Sequence, residues 1–260
     1  MHPMLNIAVR AARRAGTVIN RALNRLGNLR VDVKGHQDYV TEIDREAEAS
    51  IIQTLLAAYP DHSILAEESG EQGSSEYQWI IDPLDGTTNF LHGYPQFAVS
   101  IALTVRGELD QAVIFDPVRD ELFTATRGAG AQLNNRRIRV SDCQSMDHAL
   151  LGTGFPNRNP ALLGSYLPTL AAFLPQVAGV RRAGAASLDL AFVACGRLDG
   201  FWEFGLQPWD IAAGSLLIQE AGGIVTEPDG STANLKGGNI LCASPRIHRA
   251  MLNTLTNRSA

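Results

Sequence analysis

One stretch limits what this chain can become more than any other: Tyr77-Gln78-Trp79-Ile80-Ile81 runs directly into Asp82-Pro83-Leu84-Asp85-Gly86-Thr87-Thr88-Asn89. The aromatic and β-branched run predicts a buried strand, which leaves Asp82 at the carboxyl end, where α/β folds bind their ligands. Gly86 permits a tight turn, and Thr87, Thr88 and Asn89 suit the start of a short helix whose free N–H groups face whatever the carboxylates hold. Asp85-Gly86 alone would signal only an exposed turn. Three further segments argue for more: Ile64-Leu65-Ala66-Glu67-Glu68, Asp38 to Asp44, and Gln207-Pro208-Trp209-Asp210 each place an acid at the edge of a predicted element. Four converging acids repel by about 4 kcal/mol per close pair at an effective dielectric near 20, so such a cluster needs Mg²⁺ or a similar ion.

In this order along the chain, these segments resemble the inositol monophosphatase family, most closely its bacterial SuhB-type members. Two signatures carry the resemblance, Trp79 to Phe90 and Trp209-Asp210-Ile211-Ala212-Ala213-Gly214 leading to Glu220-Ala221-Gly222-Gly223. It extends over nearly the whole chain. It implies an α/β (α+β) fold, a layered αβαβα sandwich of the inositol monophosphatase and fructose-1,6-bisphosphatase type. The implied activity is a Mg²⁺-dependent, lithium-sensitive phosphomonoesterase acting on inositol-1-phosphate or related small polyol and sugar phosphates.

Position by position, the resemblance implies that Glu67, Asp82 and the Leu84 carbonyl hold one Mg²⁺ and that Asp82, Asp85 and Asp210 hold a second. A third, weaker ion would sit near Glu67. The implied catalytic residues are Thr87, Asp44 and Glu67, with Thr87 and Asp44 orienting the attacking water and no covalent intermediate. The implied substrate contacts are Leu84, Asp85, Gly86, Thr87, Arg181, Gly184, Ala186, Glu203 and Asp210. Among these, the N–H groups of Gly86 and Thr87 would hold phosphate oxygens and Glu203 the alcohol hydroxyls. Arg182 beside Arg181 leaves that pair ambiguous. Ala185 stands where the family commonly has Ser or Thr, a departure that bears on substrate preference. Lys34-Gly35 reads as a loop covering the metals or simply as a turn.

Other readings differ in testable ways. A haloacid dehalogenase motif would spell D-x-D-G-T, whereas two residues separate Asp82 from Asp85. Relatives acting on fructose bisphosphate, nucleotide 3′-phosphates or NADP share the ligand pattern. A regulatory binding protein is the alternative of another class, because the resemblance allows association with RNA polymerase and the ribosomal-RNA antitermination machinery. Family precedent also suggests a homodimer. The net charge of −5 gives no footprint for direct nucleic-acid binding. The exception is Arg10, Arg13, Arg14, Arg21, Arg25 and Arg30, which on a helix form a solvated face opposite Ile7, Ala8, Ala11, Ala15, Val18 and Ala22. Cys143, Cys195 and Cys242 are odd in number and widely spaced, and read as reduced, buried thiols of a cytoplasmic protein. No apolar run suits a signal peptide or membrane span. The six histidines lack zinc spacing, and there is no G-x-x-x-x-G-K-[ST] loop.

Periodicity predicts helices from Leu5 to about Leu26 and from Thr41 to Tyr59, then an antiparallel meander from Phe97 to Val140. Beyond Ala149, short strands alternate with helices at Leu162–Leu174, Ser187–Cys195, Ile211–Ala221 and Arg246–Leu255. Residues 1–148 are expected to form an α+β half carrying most metal ligands, and 149–260 an α/β half that completes the site, in one unit without a linker.

Overall fold

Helix α1 (Pro3–Leu23) buries Leu5, Ala8, Ala12, Ala15, Ile19 and Ala22, an alternation of three- and four-residue steps that puts them on one stripe. Its arginines lie on the other side, where Arg13 pairs with Asp120 at 3.0 Å and Arg14 donates to Thr54 at 3.1 Å. The computed structural model describes residues 2–23, 25–26, 31–35, 38–157 and 159–256, with 31–40 described in backbone alone. Arg30 and the Lys34 side chain therefore lie outside the described residues. Strands β1 (Val31–Gly35) and β2 (Asp38–Thr41) form an antiparallel hairpin. Helix α2 (Glu42–Ala58) opens on a capping box, with Thr41 as cap and Asp44 as the returning carboxylate, and Pro60 follows its end.

The first large sheet contains β3 (Ser63–Ala66), β4 (Gly70–Gln72), β5 (Tyr77–Asp85), β6 (Ala98–Val105), β7 (Glu108–Asp116), β8 (Glu121–Thr126), β9 (Gly130–Leu133) and β10 (Arg136–Arg137). A short helix, α3 (Thr87–Leu91), follows β5. The spatial order is β10-β9-β8-β7-β6-β5-β3-β4, so the expected meander forms by sequential antiparallel pairing from β5 to β10. β3 joins β5 in parallel. The second sheet takes β11 (Leu150–Thr153), β12 (Gly179–Arg181), β13 (Gly200–Glu203), β14 (Ile224–Thr226) and β15 (Ile240–Ala243) in the order β12-β11-β13-β15-β14. Four further helices complete the chain: α4 (Leu163–Phe173), α5 (Ala186–Ala194), α6 (Pro208–Glu220) and α7 (Pro245–Thr256).

Alternation along the strands assigns each helix to a layer. Trp79, Ile81, Ile101 and Val113 face α1 and α2, whereas Ile80, Ala102, Ala112 and Ile114 face α5 and α6. The second sheet turns Phe201 toward α5 and α6 and Trp202 outward, onto Tyr166 and Phe173 of α4 and Ile247 and Met251 of α7. The result is the expected αβαβα sandwich. α5 and α6, apolar around most of their circumference, form its middle layer, as helices covered on both sides must. α6 ends in a Schellman motif: Gly222 takes φ +90°, Gly223 N–H donates to Ile218 O at 2.8 Å, and Gly222 N–H donates to Gln219 O at 3.0 Å. Among the described residues no helix is long and apolar enough to cross a membrane.

His248 of α7 is buried and shares a 2.9 Å hydrogen bond with Thr226 Oγ1, and its desolvation lowers its pKa below the usual 6.5. The fold therefore favours the neutral ring. As pH falls below about 6.5 the unfolded chain binds the proton more readily, and stability declines until the folded pKa is passed. His248→Gln is expected to lose less Tm between pH 7 and pH 5 than the unsubstituted protein. An equal loss in both would contradict this assignment.

Candidate active site

The central acids come together because β5 is irregular. Residues three apart on a regular strand point to opposite faces. Here Asp82 pairs with Ser100 but Asp85 with Ala98, so one extra residue is accommodated at Pro83-Leu84, a bulge at a proline that has no N–H to pair. Facing inverts across it. Leu84 packs with Trp79 and Ile81 under α1 and α2, while Asp85 joins Asp82 on the side of α5 and α6. From that middle layer α6, which starts at Pro208, brings its third residue, Asp210. Carboxylate oxygens of Asp82, Asp85 and Asp210 lie within 4.8 Å of one another. The strand thus extends four residues beyond the apolar run that predicts it, through Pro83 to Asp85.

Local donors anchor each acid. Asp82 Oδ1 accepts from Leu84 N–H at 3.0 Å, and Asp210 Oδ2 accepts from Gln207 N–H at 2.7 Å. Asp85 Oδ2 accepts from both the N–H and the hydroxyl of Ser187, at 2.8 and 2.6 Å. Asp44, the capping acid of α2, takes Thr41 N–H at 2.8 Å on Oδ2 and presents Oδ1 to the Thr87 hydroxyl at 3.0 Å. That hydroxyl also lies 3.1 Å from the Leu84 carbonyl. Burial raises the Asp44 carboxyl, opposed by bonds from Thr41 and Thr87. Asp82 is driven much further up, by burial first and then by the charges of Glu67, Asp85 and Asp210. Glu67, at the end of β3 with its N–H on Ile81 O at 3.1 Å, is thus an electrostatic neighbour of Asp82 but lies outside the 4.8 Å triad.

Gly86 makes the turn that α3 needs. Its φ is +90°, and a Cβ there would stand 2.8 Å from the Gln96 carbonyl oxygen, so only glycine fits. The first N–H groups of α3, at Thr87 and Thr88, emerge beside the acids without intrahelical partners. They face a cleft of about 710 Å³ whose walls include Asp85, Thr87, Gly184, Ala186, Glu203 and Asp210. Asn89 closes one side, its amide donating to Gln96 O at 2.7 Å and Ala183 O at 2.9 Å, which fixes the Gly184 turn against α3.

The cleft walls hold Glu203 as expected, separate the two arginines that the sequence leaves ambiguous, and add Asp189, which the sequence does not single out. Arg181 and Arg182 are both exposed, but Arg182 lines the cleft and stacks its guanidinium 5.1 Å from the Phe155 ring, whereas Arg181, the last residue of β12, does not reach the cleft wall. Asp189 lines it too, an acid one turn into an otherwise apolar helix. Its carboxyl is pushed well up by burial and by Asp85. Glu203 is held well above the usual carboxylate range by desolvation, then by Asp210 and Asp189. Gly154 leaves it room, since a Cβ there would overlap the Glu203 carboxylate.

Three hard oxygen donors packed so closely, with Asp82 buried and repelled by its neighbours, form a donor set that fits a hard divalent cation. Asp82→Asn keeps an acceptor for Leu84 N–H and removes the most desolvated charge. It is expected to raise Tm in EDTA by a few degrees, the effect of about 1 kcal/mol, while abolishing any Mg²⁺-dependent rise. A lower Tm in EDTA together with an unchanged response to Mg²⁺ would contradict the electrostatic account.

Comparison with known proteins agrees with this geometry. The sequence profile of the inositol monophosphatase family matches residues 1–260. The Nus factor SuhB of Pseudomonas aeruginosa is 55% identical over 261 residues, 98% of this chain and 96% of that protein. The crystal structure of extragenic suppressor protein suhB from Bartonella henselae superposes with a TM-score of 0.95 at 45% identity, covering 98% of both chains. That of inositol monophosphatase from Anabaena (Nostoc) sp. gives 0.84 at 42% identity, covering 97% of this chain and 95% of that one. With a family profile that matches residues 1–260 and solved structures that superpose on its layers, the chain belongs to the inositol monophosphatase family.

Proposed function

We propose that the protein is a Mg²⁺-dependent, lithium-sensitive phosphomonoesterase for inositol-1-phosphate or a similarly small polyol or sugar phosphate. The observation that carries this reading is the convergence of Asp82, Asp85 and Asp210 within 4.8 Å at a cleft that also opens on Thr87. In the proposed arrangement Glu67, Asp82 and the Leu84 carbonyl hold one ion, and Asp82, Asp85 and Asp210 another. When bound, such ions supply positive charge to the phosphoryl group and lower the pKa of water, chemistry suited to one of the slowest uncatalysed hydrolyses.

The chain's own groups do the rest. The N–H groups of Gly86 and Thr87 hold phosphate oxygens at the start of α3. Thr87 Oγ1 turns its proton toward Asp44 Oδ1 and so presents a lone pair to the attacking water. Asp44, raised in pKa by burial, is the proton's final acceptor. Glu203, Gly184 and Ala186 contact the alcohol, and we assign the cleft-side cation to Arg182 in place of Arg181 because only Arg182 lines the wall.

Phosphate release from inositol-1-phosphate is expected to need Mg²⁺, stop with EDTA and fall with Li⁺. Asp44→Asn is expected to lower kcat by about 10²–10⁴-fold, the range for a lost general base. Full activity in EDTA, or in Asp44→Asn, would refute the mechanism.

A second role rests on the names of the relatives. The curated proteins at 50–55% identity are called Nus factor SuhB, which favours association with the transcription antitermination machinery as well. The exposed arginines of α1 are the proposed contact. Arg13 and Arg14 are engaged with Asp120 and Thr54, so Arg10 and Arg21 are the better probes. Arg10→Glu combined with Arg21→Glu is expected to reduce co-purification with RNA polymerase and its antitermination factors. Undiminished recovery removes this face from the account.

A further inference from the structure

We infer that Ser187 is a positioning residue for the metal centre, an inference that rests on the metal-dependent reading of the acidic cluster. Its N–H and its hydroxyl both donate to Asp85 Oδ2, at 2.8 and 2.6 Å, across a sequence separation of 102 residues. Ser187 is fully buried and Asp85 is only 9% exposed. Two donors converging on one oxygen fix the rotation of the carboxylate, while leaving its other oxygen unclaimed by Ser187.

The hydroxyl is not needed by the helix. α5 begins at Ala186, so the Ser187 N–H is one of the donors an α-helix cannot satisfy internally, and its N-cap Ala185 offers no side chain to do so. Asp85 fills that role from β5 through the N–H alone. Alanine at 187 would keep this bond, propagate the helix well and suit a neighbourhood of Ala186, Leu188 and Ala191. The shorter, removable bond from Oγ therefore acts on Asp85 and not on α5. It also ties the acid to the middle helix layer that carries Asp210. Groups that orient a metal-ligating carboxylate in this way are typically worth 10–100-fold in metal affinity.

Calorimetric titration of the purified protein with Mg²⁺ tests this, comparing the unsubstituted chain with Ser187→Ala, Ser187→Cys and Asp85→Asn. Ser187→Ala is expected to bind about 10-fold more weakly while still melting cooperatively in EDTA, and Ser187→Cys, a weak donor, to fall between. Unchanged or tighter binding by Ser187→Ala, with binding lost in Asp85→Asn, overturns the positioning role and leaves the metal centre standing. Full binding by Asp85→Asn overturns the metal-centre reading itself. If Ser187→Ala does not melt cooperatively, Ser187→Cys decides: weakened binding supports the role, and unsubstituted affinity overturns it.

Discussion

Asp82, Asp85 and Asp210 are held where like charges repel, one of them almost out of reach of water, and Glu67 adds its own field to Asp82. Such a group does not assemble by attraction, so local structure must hold each member. Asp82 is held by Leu84 N–H in the turn of its own bulge, and Asp210 by the N–H of Gln207 at the start of α6. Ser187 at the start of α5 holds Asp85, and Thr41 at the start of α2 holds Asp44. Three of these anchors are donors at helix N-termini, the N-cap N–H groups of Thr41 and Gln207 and the first-turn N–H of Ser187, which helices leave without intrahelical partners. The cost of concentrating negative charge is therefore met partly by helix ends before any cation arrives, and the remainder is the driving force for binding one.

The architecture follows from this need. Acids from β5 in the first sheet and α6 in the middle layer meet only if that layer is pressed between two sheets, as the shared core of Ile80, Ala102, Leu190, Phe201, Ile211 and Leu216 requires. The cleft lies where this packing opens. One wall comes from α3 and the Gly184 turn, clamped together by Asn89, and the other from the end of β13 at Glu203. Asp189 and Glu203 feel the Arg182 charge as well as the central acids, so the cleft sets mixed charge and the Phe155 ring beside the anionic cluster.

Much of this was legible in the sequence. Periodicity located α1, α2 and α6 closely, the turn signals marked the meander, and the family resemblance supplied the sandwich. The acids were visible because each stands at the edge of an apolar run. What was not legible depends on register and on contacts between distant segments. The bulge at Pro83 turns Asp85 onto the face of Asp82, and period-two reasoning alone would have put it on the opposite one. Ser187 and Asp189 look ordinary in sequence and gain their roles from partners about 100 residues away, and Asn89, read only as part of a helix start, clamps a turn equally distant along the chain. Arg181 and Arg182 are equivalent as letters, and only the direction in which β12 ends separates them.

If Asp82, Asp85 and Asp210 jointly ligate a divalent cation, anomalous diffraction from crystals of the protein soaked in Mn²⁺ will show it. A manganese peak is expected about 2.0–2.3 Å from carboxylate oxygens of at least two of these residues, with Asp82 among them. A well-ordered cleft with no peak at the three acids, or with manganese bound only elsewhere, would contradict it.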